Sequence, residues 1–182
     1  KGEDFSFITG LTKMGIETVP PRVGRGVLIN MAKHHGVSSM RGGEGITRED
    51  IKKAIKKQNI ELKKGDIILF HTGWTDAKLK SSPEEWGASI PGITNDAAVF
   101  LSKFRPMAVG ADTWGLGAVP PIEGDKVYYD HVTLIKENGI YILETMDTGK
   151  LAKENVTEFM FVLGQPKLKG AVQMIINPVA LW

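Results

Sequence analysis

Short continuous apolar runs alternate with amphipathic stretches along most of the chain. Ile67-Ile68-Leu69-Phe70 is bounded by the turn signal Lys64-Gly65-Asp66 and by Thr72-Gly73, which predicts a central strand buried on both faces. The same reasoning predicts strands at Val27–Met31, Met107–Ala111, Ile140–Glu144, Phe159–Leu163 and Val172–Ile176. Between them, Ile51, Ala54 and Ile55 fall at helical spacing behind Thr47-Arg48-Glu49-Asp50, a capping-box start, and predict a helix over Arg48–Gln58. Ala97, Ala98 and Leu101 predict a second helix over Asn95–Lys103. A helical turn after Ser82 as cap, with Pro83 in its first position, and a short helix over Thr148–Asn155 complete the pattern. Residues 1–21, punctuated by Gly10, Gly15, Pro20 and Pro21, read as irregular. Helix and buried strand alternate without a linker or repeat, so residues 1–182 predict one α/β domain with a mixed sheet.

Composition narrows the function. A chain of 182 residues, 42% of them hydrophobic, is long enough for one real core and short for two. A net charge of +2 gives no electrostatic case for nucleic acid or membrane as partner. Lys52, Lys53, Lys56 and Lys57 read as the solvated face of one helix. With 0 cysteines, disulfides, thiolate metal sites and a cysteine nucleophile are excluded. That fits a reducing compartment, and the expected location is cytoplasmic. No apolar run reaches transmembrane length. The start, Lys1-Gly2-Glu3-Asp4, is no signal peptide and lacks an initiator methionine, which leads us to expect a processed or truncated product.

Candidate chemistry concentrates between Tyr128 and Met146. His131 precedes a short apolar turn, and Glu144 ends the next strand on one face with Ile140 and Ile142. A carboxylate on an inward face needs a partner. Two readings stay open: a metal ion shared with His131, or a turn-capping histidine and a wet strand end. Polar and aromatic residues also follow two buried strands, as His71-Thr72-Gly73-Trp74 and Asp112-Thr113-Trp114. His71 is either a ligand-binding residue or a hydrogen-bonded strand-end histidine, and Asp112 either orients a ligand histidine or closes its strand as an Asx-turn residue. Trp74 either lines a pocket or caps the core. His34-His35 reads as loop surface, because adjacent histidines do not chelate one ion easily. The glycine-rich stretch 40–46 lacks phosphate-loop and dinucleotide spacing.

Taken together and in order, several segments resemble the cyclase-type metal-dependent hydrolases, the family of bacterial kynurenine formamidase and isatin hydrolase. The matching pieces are Gly10-Leu11-Thr12-Lys13-Met14-Gly15-Ile16-Glu17, Arg25-Gly26-Val27-Leu28, and Ile46-Thr47 with its helix. They continue through Gly65-Asp66-Ile67-Ile68-Leu69 with Thr72-Gly73-Trp74, Pro91-Gly92-Ile93, and Val109-Gly110-Ala111-Asp112-Thr113-Trp114. His131 and Glu137-Asn138-Gly139-Ile140-Tyr141-Ile142 with Glu144 close the set.

The resemblance implies a cyclase-like, swivelling β/β/α fold and hydrolysis of an amide, lactam or lactone bond in a small cyclic or aromatic molecule. It implies Zn or Mn held by His131 and Glu144, a substrate pocket walled by Trp74 and Trp114, and Asp112 acting behind the ligands. One departure is large. The family's His-x-Gly-Thr-His-x-Asp signature is absent from residues 1–182, so the catalytic groups are expected upstream of Lys1. The chain alone is then expected to bind metal weakly or not at all, and to form a homo-oligomer or associate with an N-terminal fragment. The alternative is a non-catalytic binding or structural protein that keeps the fold without the metal motif.

Overall fold

A computed structural model describes residues 5, 6, 8 and 10–182. Its strands are β1 (Phe5–Ser6), β2 (Gly10–Leu11), β3 (Arg22–Asn30), β4 (Gly45–Ile46), β5 (Ile67–His71), β6 (Gly92–Ile93), β7 (Ala108–Ala111), β8 (Tyr141–Leu143), β9 (Glu158–Leu163) and β10 (Val179–Leu181). Its helices are α1 (Met31–His35), α2 (Arg48–Lys57), α3 (Trp74–Lys78), α4 (Pro83–Ala88), α5 (Asn95–Ser102), α6 (Tyr129–His131) and α7 (Gly149–Lys153). A π-helical segment, Val132–Glu137, runs on from α6. The six-stranded sheet has the order β10-β9-β3-β5-β7-β8. β3, β5, β7 and β8 pair in parallel, while β9 and β10 pair antiparallel, so the sheet is mixed and the fold α/β.

The chain divides into two compact units, residues 25–159 and residues 1–24 with 160–182. In the first, parallel pairing forces a crossover between successive strands, and helices fill that role. All five residues of β5 are buried, as its unbroken apolar run requires of a central parallel strand. Val27, Ile29, Ile68, Phe70 and Val109 form one cluster with Ile51 and Ala54 of α2 and Ala97, Ala98 and Leu101 of α5. The helical stripes and the strand alternation therefore meet on one face. The Thr47–Asp50 capping box is fully formed: Asp50 N donates to Thr47 Oγ1 at 3.1 Å and Thr47 N to Asp50 Oδ2 at 3.0 Å. In the second unit, β1 pairs with β2, Leu11 N donates to Gly170 O at 2.8 Å, and β10 runs along Met160–Val162 of β9.

Five expectations need correction. Val172–Ile176 is not a strand: Val172 is 66% and Ile175 91% exposed. The hydrogen-bonding edge of β9 is taken by Val179–Leu181 instead, because pairing follows backbone availability rather than apolar content. Residues 10–21 are not wholly irregular, since they hold β2 and a 3-10 turn at Ile16–Thr18; residues 1–4, 7 and 9 lie outside the described residues. Met31 leaves the strand to begin α1, whose N-terminus Asn30 caps by accepting from Lys33 N at 2.8 Å. The stretch after His131 is helical rather than a turn, because Thr133 and Leu134 are buried. Around the expected turn at Ser82 there are two helices, α3 and α4; Pro83 does open α4, but Ser82 makes no side-chain cap.

Candidate metal centre

His131 ends α6, and Glu144 follows the last residue of β8. β8 is held in register by β7, with Gly110 facing Leu143, and the chain beyond Glu144 is pinned by Thr145 N to Thr113 O at 2.8 Å and Met146 N to Ala111 O at 3.0 Å. These constraints bring the two predicted residues together. His131 Nε2 lies 3.3 Å from Glu144 Oε1, with each side chain 30% exposed. On the other side of the ring, His131 Nδ1 lies 3.0 Å from Asp130 Oδ2. Asp130 is 2% exposed, and the absence of a Cβ at Gly117 makes room for it: one built there would sit 2.9 Å from Asp130 Oδ1. Hydrogen bonds to Asp130 first, then to Glu144, push the imidazole up from 6.5 to about 9 against the opposing effect of burial. The ring is thus aimed by one carboxylate and presented to another. Sequence reading missed Asp130. No periodicity marks it, and only the helix through 129–131 turns it inward.

Asp112 sits at the end of β7 and is 3% exposed. Its Oδ1 accepts from Thr72 N at 2.9 Å and Thr72 Oγ1 at 2.7 Å, and its Oδ2 from Gly73 N at 2.8 Å. These bonds tie the exits of β5 and β7 together, and none goes to His131. Burial raises the Asp112 carboxyl, opposed by His71 and by these donors. His71 is the hydrogen-bonded strand-end histidine of the second reading above, with Nδ1 2.8 Å from Thr148 Oγ1.

Trp74 is only 2% exposed, so its ring packs in the interior, whereas Trp114 is half-buried. Their indole N–H groups point at the same carbonyl, Trp86 O, at 3.5 Å and 2.7 Å. Neither lines the open depression of about 480 Å³ beside Asn30, Lys33 and His71.

The two predicted ligands fit an ion as a pair of N and O donors, since their atoms converge and reach solvent. Among the described residues no third histidine or carboxylate joins them. The one grouping of three such side chains among the described residues is His34, His35 and Asp50. The pair His34-His35 lies in the last turn of α1 rather than in a loop, His34 half-buried and His35 exposed, and the two rings meet edge-on at 5.1 Å. Burial, followed by the charges of His35 and Lys57, lowers the His34 ring below 6.5.

The Cyclase family model matches residues 5–118. The chain belongs to the Cyclase family. Among solved structures, a crystal structure of a novel cyclase is similar at a TM-score of 0.85 and 28% identity, covering 99% of this chain and 61% of that one. Isatin hydrolase A from Ralstonia solanacearum matches at a TM-score of 0.72 and 18% identity, over 98% of this chain and 66% of the other. A predicted metal-dependent hydrolase from Bacillus stearothermophilus matches at 0.62 and 19%, over 87% and 63%. The last two show a shared fold. This cyclase-family chain spans about three-fifths of the length of the novel cyclase. Among curated proteins, none matches it.

Proposed function

We propose that this cyclase-family chain is part of a metal-dependent hydrolase that opens an amide, lactam or lactone bond in a small cyclic or aromatic substrate. The observation that carries the reading is the convergence of His131 Nε2 and Glu144 Oε1 at 3.3 Å, with the buried Asp130 behind the imidazole. Imidazole and carboxylate together suit Zn or Mn. The chemistry such an ion supplies is Lewis acidity toward a carbonyl oxygen and toward water. Asp130 accepts the Nδ1 proton and so leaves Nε2 as the donor atom. Glu144 holds the Nε2 proton until it is displaced, so loading releases a proton. Trp74 and Trp114 are proposed as the aromatic side of the substrate pocket, with Trp114 the one that reaches solvent.

Two protein ligands are fewer than the three or more that catalytic zinc sites use. We place the remaining ligands on a segment or second chain that carries the family's histidine-rich signature. The exposed Val172, Ile175 and Trp182 support association in that form or as a homo-oligomer, and a chain without cysteine suits the cytoplasm. The non-catalytic alternative is favoured by one observation, the absence of a third converging ligand among the described residues. The deciding experiment assays formyl-amide, lactam and lactone hydrolysis with Zn or Mn. It compares residues 1–182, a longer form bearing the histidine signature, and the longer form with His131→Ala or Glu144→Ala. Activity in the longer form that both substitutions abolish supports the hydrolase; an inert longer form, metal-loaded, supports the binding protein.

A further inference from the structure

We propose that His34, His35 and Asp50 form an additional ion site, one that takes a divalent transition ion of the zinc, copper or nickel class. One ligand atom from each residue lies within 4.8 Å of the other two. The site shares no residue with the His131–Glu144 pair.

Each donor is placed by a separate local device. The histidines are the last two residues of α1, which stops at Gly36 in the left-handed region at φ 73, where Gly36 N bonds to Ala32 O and Lys33 O. That stop fixes the backbone from which both rings rise, and they meet at 5.1 Å with planes 76° apart. Asp50 is the third residue of α2. Its Oδ2 is held by Thr47 N at 3.0 Å and Thr47 Oγ1 at 2.6 Å, and its Oδ1 takes no part in those bonds. A four-coordinate ion with bonds of about 2.0–2.1 Å spaces its ligands by about 3.3 Å, so closing the site takes a contraction of roughly 1.5 Å at most. Rotamer adjustments of the exposed His35 and the half-buried His34 supply it.

A second observation points to a ligand. His34 Nδ1 is shut off from solvent and has no hydrogen-bond partner, in a protein class where nearly all buried polar atoms have one. The His34 ring thus belongs to a group of three donors and carries an unpaired nitrogen, which an ion or an ordered water satisfies. The donor set selects the ion. Two imidazoles are foreign to calcium and magnesium, which take oxygen ligands, and suit zinc, copper and nickel. Lys57, whose Nζ lies 3.4 Å from His34 O, opposes a cation. It is a solvated surface charge, and such charges interact weakly through water compared with direct ligand bonds. Loading would tie the end of α1 to the start of α2.

The test uses the untagged chain with His131→Ala, which removes the other candidate pair. After chelator treatment, calorimetry with ZnCl₂ is expected to show one equivalent bound, and CaCl₂ none. Cu²⁺ added to the same protein is expected to give an electron paramagnetic resonance spectrum with coupling to two imidazole nitrogens. His34→Gln and His35→Gln are each expected to weaken zinc at least about tenfold, the lower bound for losing even an outer partner. Thermal unfolding in chelator confirms that the variants fold; His35→Gln, at an exposed position, keeps the fold. The proposal is overturned by no zinc binding in the parent, by copper coupled to fewer than two nitrogens, or by unchanged zinc affinity in the His34→Gln/His35→Gln double variant.

Discussion

At the scale of single residues, two buried aspartates do different work. Asp130 aims His131, so on the proposed metal-site reading Asp130→Asn should weaken metal binding or activity of a complete protein by about 10–100-fold, the usual cost of losing a partner behind a ligand. In metal-free protein the same change should lower the His131 titration midpoint from about 9, followed by NMR of the ring proton. The sign follows from linkage: a histidine raised above 6.5 stabilises the fold fully below that pH, and the contribution fades as pH rises through about 9. A midpoint unmoved by Asp130→Asn would refute the assignment. Asp112 is structural in its bonding, since it satisfies Thr72 N, Thr72 Oγ1 and Gly73 N. Asp112→Ala leaves those donors buried without an acceptor and should cost about 3 kcal/mol in urea unfolding.

At the scale of elements, the start of α2 and the contact of β7 with β8 are separately testable. Thr47→Ala removes the acceptor for Asp50 N and should cost about 1 kcal/mol, with the midpoint shifted and the denaturant slope unchanged. Gly110 is required by close approach: a Cβ there would sit 2.4 Å from Leu143 O, backbone that cannot move without parting the strands. Gly110→Ala should therefore destabilise by about 1–3 kcal/mol and also shift Glu144, one residue beyond Leu143. A variant that loses stability but keeps the raised His131 titration would show that the β7–β8 register does not place Glu144.

At the scale of the molecule, Arg25 joins sequence-distant parts of the residue 25–159 unit. Its guanidinium donates to Asp66 Oδ2 at 2.8 Å, to Glu158 Oε1 at 2.7 Å and to Glu61 O at 3.1 Å. Asp66 is 2% exposed, so Arg25→Met removes the cation from a buried carboxylate that keeps the Lys63 N donor at 2.7 Å, and should cost about 3 kcal/mol, read by urea unfolding at neutral pH. The hydrogen bond from Arg25 holds Glu158 below 4.5, so its contribution is present above that value and is lost as pH falls through its folded pKa. The gap between wild type and Arg25→Met should narrow on acidification. A gap that widens would show that Glu158 is not part of this network.

The sequence by itself determined the elements whose signal is local. The unbroken run of β5, the stripe of α2 with its Thr47–Asp50 box, and the span of α5 were all legible, because periodicity and capping act within a dozen residues. The ordered set of short segments also carried the family. Only the tertiary structure decided which edge β9 offered, and to which strand, because Val172–Ile176 and Val179–Leu181 are both apolar enough to pair. It alone placed Asp130 under His131. It also overturned the argument that neighbouring histidines diverge: that holds for a strand or a loop, whereas the tight final turn of α1 folds His34 and His35 together over Asp50 from the next helix. Side chains that meet through separate elements leave no mark in local pattern, and both candidate ion sites are made of such meetings.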